Sequence, residues 1–193
     1  MRVLMIYAHP NSESFNHAIF ENIKRGLEEG RHKVEVIDLY KEKFNPVLFY
    51  DHVKRRRDLA EDPEVAGYRD MISQADHLIF IYPIWWYGLP AILKGFIDRV
   101  FVSGFAYTST GKVPKGLFGD KSAWVVYTID SPSWFVRFFR HNVEWRVMKT
   151  AILKYCGIKH TKRLMFANVK KSDPAQRQKW LESVYHKAAV DLV

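Results

Sequence analysis

Cysteine is almost absent from this 193-residue chain: Cys156 stands alone, which excludes an internal disulfide and a cysteine-based zinc site. Long apolar runs are absent too. The opening stretch Met1–Tyr7 is too short for a secretory core and is broken by His9-Pro10-Asn11, and no run approaches the roughly 20 residues of a membrane span. These gaps predict a soluble, untargeted protein that is not membrane-embedded and suits a reducing cytoplasm. Several chemical motifs are missing as well. There is no G-x-G-x-x-G, so a Rossmann-type nicotinamide site is not expected and any pyridine nucleotide should bind transiently. There is no H-E-x-x-H or other metal cluster, and no G-x-S-x-G elbow. Gly116-Leu117-Phe118-Gly119-Asp120-Lys121-Ser122 ends like a phosphate loop, but its spacing is wrong and it precedes a strand.

Acidic residues are few, 21 against 30 basic ones, for a formal charge of +9. That balance suits nucleic acid, an anionic membrane surface or phosphorylated ligands. The bases are dispersed, and the one dense run, Lys54-Arg55-Arg56-Arg57, reads as a solvated loop or helix end. Without a recognisable nucleic-acid motif, no nucleic-acid partner is expected. Apolar residues at 48% mark an ordinary globular chain, and its length fits a single domain over 1–193.

Apolar runs of strand length recur, with helical patterns between them, as a buried parallel sheet requires. Strands are predicted at Val3–Tyr7, Val34–Leu39, Leu78–Tyr82, Ala123–Tyr127 and Leu164–Val169. Helical spacing relates Phe15, Ala18, Ile19, Ile23 and Leu27, with Gly30 closing that helix. Further helices are expected near 64–75, from Leu89 to Phe101 with Pro90 in the first turn, over 143–156 ending at Gly157, and after Asp173, with Pro174 and Gln176 completing its cap. Residues 40–63 read as an extended excursion. Residues 104–120, with Gly104, Gly111, Gly116 and Gly119, read as a loop. Five strands alternating with five helices predict an α/β, flavodoxin-like three-layer sandwich with a five-stranded parallel sheet in the order 2-1-3-4-5.

In such a sheet the ligand lies beyond the carboxyl ends of strands one, three and four, where the strand order reverses. Three segments meet there. His9–Asn16 opens the first helix, whose N–H groups suit a phosphate or pyrophosphate; plain N-capping by Ser12 or Ser14 is the competing reading. Pro83-Ile84-Trp85-Trp86-Tyr87-Gly88-Leu89-Pro90 sets three aromatics in a Pro- and Gly-framed loop, a wall for a flat ring whose polar edge the loop's N–H groups can bind. Thr128-Ile129-Asp130-Ser131-Pro132-Ser133-Trp134 is polar and turn-forming, and is read equally well as a donor set or as a simple loop.

These residues resemble a known family. Tyr7-Ala8-His9-Pro10-Asn11 with Ser14-Phe15-Asn16, and the long stretch Tyr82–Phe101, are similar to the two signatures of the flavodoxin-like NAD(P)H:quinone oxidoreductases, the DT-diaphorase-like and potassium-efflux ancillary flavoproteins. Gly104-Phe105-Ala106-Tyr107 and Tyr155-Cys156-Gly157 fit downstream. The resemblance implies a homodimeric flavoprotein carrying FAD, with FMN as the alternative, and using NAD(P)H as transient co-substrate in ping-pong turnover with a quinone or similar small acceptor. It assigns His9, Ser14, Phe15 and Asn16 to the pyrophosphate and ribityl region, and Pro83, Ile84, Trp85, Trp86 and Tyr87 to the isoalloxazine. Thr128, Asp130 and Ser131 would face the pyrimidine edge, where an Asp130 carboxylate would oppose the charge gained on reduction. Tyr107 would reach the acceptor pocket across a dimer interface, and His141 or Tyr107 would be the proton donor. Phe105, Tyr107 and Trp134 would form an apolar lid. Two features depart from the family: the third loop is Tyr127-Thr128-Ile129-Asp130-Ser131-Pro132 in place of a Thr-Thr-Gly-Gly type, and Phe135 stands where a tyrosine is expected. A one-electron flavodoxin-type carrier and a flavin-binding regulatory subunit docking peripherally on a membrane transporter are the other readings.

Overall fold

The computed structural model describes residues 1–108 and 113–192; Gly111 lies outside them. Five parallel strands form the sheet: β1 (Arg2–Tyr7), β2 (Lys33–Asp38), β3 (His77–Pro83), β4 (Ser122–Ile129) and β5 (His160–Ala167). Their spatial order is β2-β1-β3-β4-β5, the order expected from the apolar runs. The helices are α1 (Phe15–Glu29), α2 (Ala66–Gln74), α3 (Ala91–Val100), α4 (Ser133–Phe138), α5 (Val143–Arg146, running on as a π-helix over Val147–Lys154) and α6 (Pro174–Val190).

The period-2 alternation of each strand divides the core in two. Val3, Met5 and Tyr7 of β1 meet Ile19, Ile23 and Leu27 of α1 and Val184 and Ala188 of α6, whereas Leu4 and Ile6 face Leu93, Phe96 and Val100 of α3 and Met148 and Leu153 of α5. Helices therefore cover both faces, giving the three layers expected. Every residue of β3 is buried, in keeping with its central place. Burial of this kind stabilises by roughly 25 cal/mol per Å² of apolar surface.

Several boundaries differ from the sequence reading: β5 starts at His160 and ends at Ala167 where Leu164–Val169 was expected, and the 40–63 excursion carries a short 3-10 helix over Arg56–Glu61. Pro90 is the N-cap of α3 rather than a first-turn residue, because its ψ of 142° is extended and the helix begins at Ala91. Ser133 and Trp134, read as the end of the third loop, and 135–138, to which no element was assigned, form α4, which starts after Pro132. Within the 104–120 loop, Tyr107–Thr108 and Lys115–Gly116 pair as a two-strand ribbon. The cap of α6 is as expected: Asp173 accepts from the Gln176 N–H at 2.7 Å, with Pro174 next to it. Gly157 sits at φ 101°, where only glycine is unstrained, and ends α5.

Candidate cofactor and acceptor cleft

The three segments converge at the carboxyl ends of β1, β3 and β4, and hydrogen bonds tie them together. Asn16, in the first turn of α1 and buried, donates from Nδ2 to Thr128 Oγ1 at the end of β4, 2.7 Å away. Ile84 N–H donates to the Thr128 carbonyl at 2.8 Å, and the hydroxyls of Tyr87 and Ser131 meet at 2.7 Å. Asn16 Oδ1 is buried with no partner among the described residues. Such an orphaned buried acceptor is met by an ordered water or by a donor from outside the chain.

Ser14, not Ser12, caps α1: its Oγ accepts from His17 N–H at 3.1 Å. Among the described residues the N–H groups of Phe15 and Asn16 meet no acceptor, as the first turn of a helix dictates. His9 Nδ1 lies 3.0 Å from Asn11 N and 3.1 Å from Asn11 O. Burial holds the His9 imidazole below its ordinary pKa, offset in part by the Asn11 backbone contact, and the nearby His17 lowers it further. With Nδ1 accepting the Asn11 N–H, a neutral His9 would carry its proton on Nε2, a donor for a phosphate oxygen; with Nδ1 donating to the Asn11 carbonyl, Nε2 would be an acceptor. The side chain of Phe15 has another task. It packs against Phe166 and Trp180, 6.3 and 5.9 Å away between centroids, with Arg177 over its face, so only the Phe15 backbone is available to a ligand at α1.

The aromatic loop is a tight two-residue turn. Trp85 and Gly88 exchange both backbone hydrogen bonds, at 3.2 and 2.9 Å, and Trp86 and Tyr87 between them have φ of 52° and 57°, the sign pattern of a type I′ turn. That turn favours Asn-Gly; two bulky aromatics there cost on the order of 1–2 kcal/mol each. Pro83 is buried at the end of β3, and Ile84 packs on the core. Trp85 is 42% exposed and Trp86 fully exposed. Since the N–H groups of Ile84, Trp85 and Gly88 are already paired, those of Trp86, Tyr87 and Leu89 remain for a ligand among this loop's backbone donors.

In the third loop the Asp130 carboxylate turns toward β5's exit: it accepts from Lys170 N–H at 3.3 Å and pairs with Lys170 Nζ at 3.1 Å. The carboxylate is thus paired with a cation, and the Asp130 and Ser131 N–H groups donate to no described residue. Beneath this loop lies a buried network that the sequence reading did not find. Glu144 Oε1 accepts from Tyr127 OH at 2.8 Å and from Arg163 Nη2 at 2.9 Å, while Arg163 Nη1 donates to Asn142 Oδ1 at 2.8 Å. Burial raises the Tyr127 phenol above its usual range, the Arg163 cation acting against that. One available signal was Glu144 itself, the single acid between Ser131 and Tyr155.

Other assigned residues fall elsewhere. Tyr107 lies edge-on to Tyr155 at 4.9 Å and lines a cavity of about 590 Å³ between α3 and α5, among whose lining residues none comes from the three loops. Phe105 is half-buried and packs against Phe118 and the core. His141 is exposed at φ 50° in the turn between α4 and α5, with no hydrogen bond to a described residue. Trp134 is exposed beside the third loop. Burial pushes the Cys156 thiol up to about 12, which leaves it unreactive. Lys54 of the basic run is anchored to Asp62 at 2.7 Å, and Arg55–Arg57 are exposed, as a solvated helix end requires. No helix of the described residues is long and apolar enough to cross a membrane.

A family model for the flavodoxin-like fold matches residues 1–188. The chain belongs to that family. Across 194 aligned residues it is 32% identical to an uncharacterized NAD(P)H oxidoreductase of Haemophilus influenzae, covering all of this chain and 96% of the relative. The crystal structure of Smu.1420 from Streptococcus mutans superposes with a TM-score of 0.92 at 43% identity, over 98% of this chain and 99% of that one. The NAD(P)H:quinone oxidoreductase of Methanothermobacter marburgensis superposes at 0.85 with 29% identity, over 98% and 96%. The quinone-oxidoreductase resemblance read from the two signatures is thus borne out.

Proposed function

We propose that this chain is a flavin-dependent NAD(P)H oxidoreductase that transfers reducing equivalents, in ping-pong turnover, to a quinone or similar small electrophilic acceptor. The observation that carries this reading is the buried Asn16–Thr128 bond with its unpartnered Oδ1, set where three loops offer free N–H groups and two exposed indoles. The residues present fit a flavin, with FAD favoured over FMN because the His9–Asn16 segment lacks a Thr- and Gly-rich phosphate loop. The names of the relatives supply NAD(P)H and quinone.

Bound, a flavin accepts two electrons from the nicotinamide and passes them to the acceptor, which is chemistry no side chain supplies. The chain's part is position and charge. His9, the Ser14 hydroxyl and the Phe15 and Asn16 N–H groups would hold the phosphate side at the positive end of α1. Trp85, Trp86 and Tyr87, with Pro83 and Ile84, would line the isoalloxazine. The free N–H groups of Asp130 and Ser131 would serve the pyrimidine edge, where preorganised donors stabilise negative charge. Lys170 balances the charge of the Asp130 carboxylate.

The working unit is a homodimer. Tyr107 lies outside the cleft of its own chain, and the exposed Val147 and Tyr155 flank its cavity, so a second copy is what would bring Tyr107 to an acceptor. His141 and Tyr107 are the two candidates for delivering a proton to the product. Steady-state kinetics with NADH or NADPH and a water-soluble quinone test the reading. Parallel double-reciprocal lines are expected, and intersecting lines would contradict the shared-site order.

A further inference from the structure

Just past the end of α4 stands a cation without a polar partner. The guanidinium carbon of Arg140 lies 4.6 Å from the centre of the Tyr87 ring and 5.7 Å from that of Phe135. Among the described residues no hydrogen bond or ion pair engages that guanidinium. A cation held over ring faces keeps its N–H donors, which lie in the guanidinium plane, for an anion.

The backbone that carries Arg140 is fixed. Its N–H donates to the Phe135 carbonyl at 3.2 Å, and the Asn142 N–H to the Val136 carbonyl at 3.0 Å. His141 and Asn142 turn the chain with φ of 50°, and Asn142 Oδ1 accepts from Arg163 of β5 at 2.8 Å. The turn thus sets Arg140 against Tyr87, whose own hydroxyl meets Ser131 of the third loop. No carboxylate competes for it nearby in the chain: from Ser131 to Val143 there is no acidic residue, and Asp130 is paired with Lys170.

What the cleft has to admit decides which anion this is. NADH and NADPH both carry a pyrophosphate between the nicotinamide ribose and the adenosine, and the chain has no G-x-G-x-x-G loop to take it. The α1 terminus is the phosphate site of the resident flavin in the oxidoreductase reading, so a co-substrate that arrives and leaves needs another cation. We propose that Arg140 binds the pyrophosphate of NAD(P)H and so anchors the dinucleotide beside the aromatic loop. This rests on the oxidoreductase reading and adds to it a preference for phosphate-bearing donors over a bare dihydronicotinamide nucleoside.

Donor kinetics of the flavin-loaded protein test it, with an uncharged naphthoquinone as acceptor. The donors are NADH and dihydronicotinamide riboside, which has the same reactive ring and no phosphate. Arg140→Ala should lower kcat/KM for NADH by about tenfold, through KM, and leave the value for the riboside at wild-type level. Arg137→Ala removes the same charge from the neighbouring turn, where it stands over Phe138, and should behave as wild type with both donors. Calorimetric titration with NAD+ is the second readout: the dissociation constant should rise by a similar factor in Arg140→Ala alone. Unchanged NADH kinetics in Arg140→Ala, equal losses with both donors, or an equal loss in Arg137→Ala overturns the proposal. So does a smaller assembly of Arg140→Ala in gel filtration, which would assign the guanidinium to contact between copies. Wild-type protein that oxidises neither donor overturns the oxidoreductase reading, and the proposal with it.

Discussion

The two rims of the cleft are built differently. On the α1 side the side chains are committed: Asn16 is buried and bonded to Thr128, Ser14 caps the helix, and Phe15 is locked between Phe166 and Trp180. On the other side, from Ser131 to Asn142, rings and arginines stand in solvent, and both His141 and Asn142 have φ of 50°. The first rim suits a group that binds and stays. The second suits molecules that come and go, and its order comes from beneath, through Asn142, Arg163, Glu144 and Tyr127.

The comparison breaks most readily at Glu144. Glu144→Ala leaves the Arg163 cation and the buried Tyr127 hydroxyl without their carboxylate, and a loss of about 4 kcal/mol is expected in urea unfolding. A loss below about 1 kcal/mol would mean that the open rim has no such foundation. A second large effect belongs to neither rim. His77, at the opposite end of β3, has its pKa lowered to about 4 by burial, with His32 and Lys162 adding to the shift. The unfolded chain takes up that proton first, so stability holds above pH 6.5 and falls by about 3 kcal/mol toward pH 4. His77→Gln should flatten that part of the pH profile while leaving any flavin affinity unchanged; an unaltered slope would exclude His77 as the source.

Smaller effects separate the rims directly. Asn16→Ala should cost about 1–3 kcal/mol, since Thr128 Oγ1 loses its partner, and should weaken flavin retention in equilibrium dialysis. Trp86→Gly should do the reverse for stability. Removing a Cβ at φ 52° gains about 1 kcal/mol in urea unfolding, and loss of the ring lowers turnover. If Trp86→Gly destabilises the fold, the turn is not strained and the aromatic loop is ordinary packing.

Much of this was legible in the chain. Continuous apolar runs identified the three inner strands, because strands covered on both faces admit little alternation, whereas β2 was read from its alternation and the polar first half of β5 was missed. The strand order then placed the cleft before any side chain was known. The second rim was harder to read. Ser133–Phe138 has apolar residues on every side and forms a helix too short for periodicity to declare itself, and the direction of the Asp130 carboxylate depends on Lys170, forty residues away. Phe15 sits in a signature segment yet turns its ring into the core, which a linear pattern does not encode. The Glu144–Arg163 pair likewise joins α5 to β5 across a distance that only the fold closes.

The central claim, that the loops at the ends of β1, β3 and β4 hold a flavin, is tested most directly by the colour of the purified protein and the mass of what heat releases from it. The account predicts a yellow protein that yields FAD and bleaches anaerobically on addition of NADH or NADPH. A colourless protein that takes up neither FAD nor FMN would contradict it.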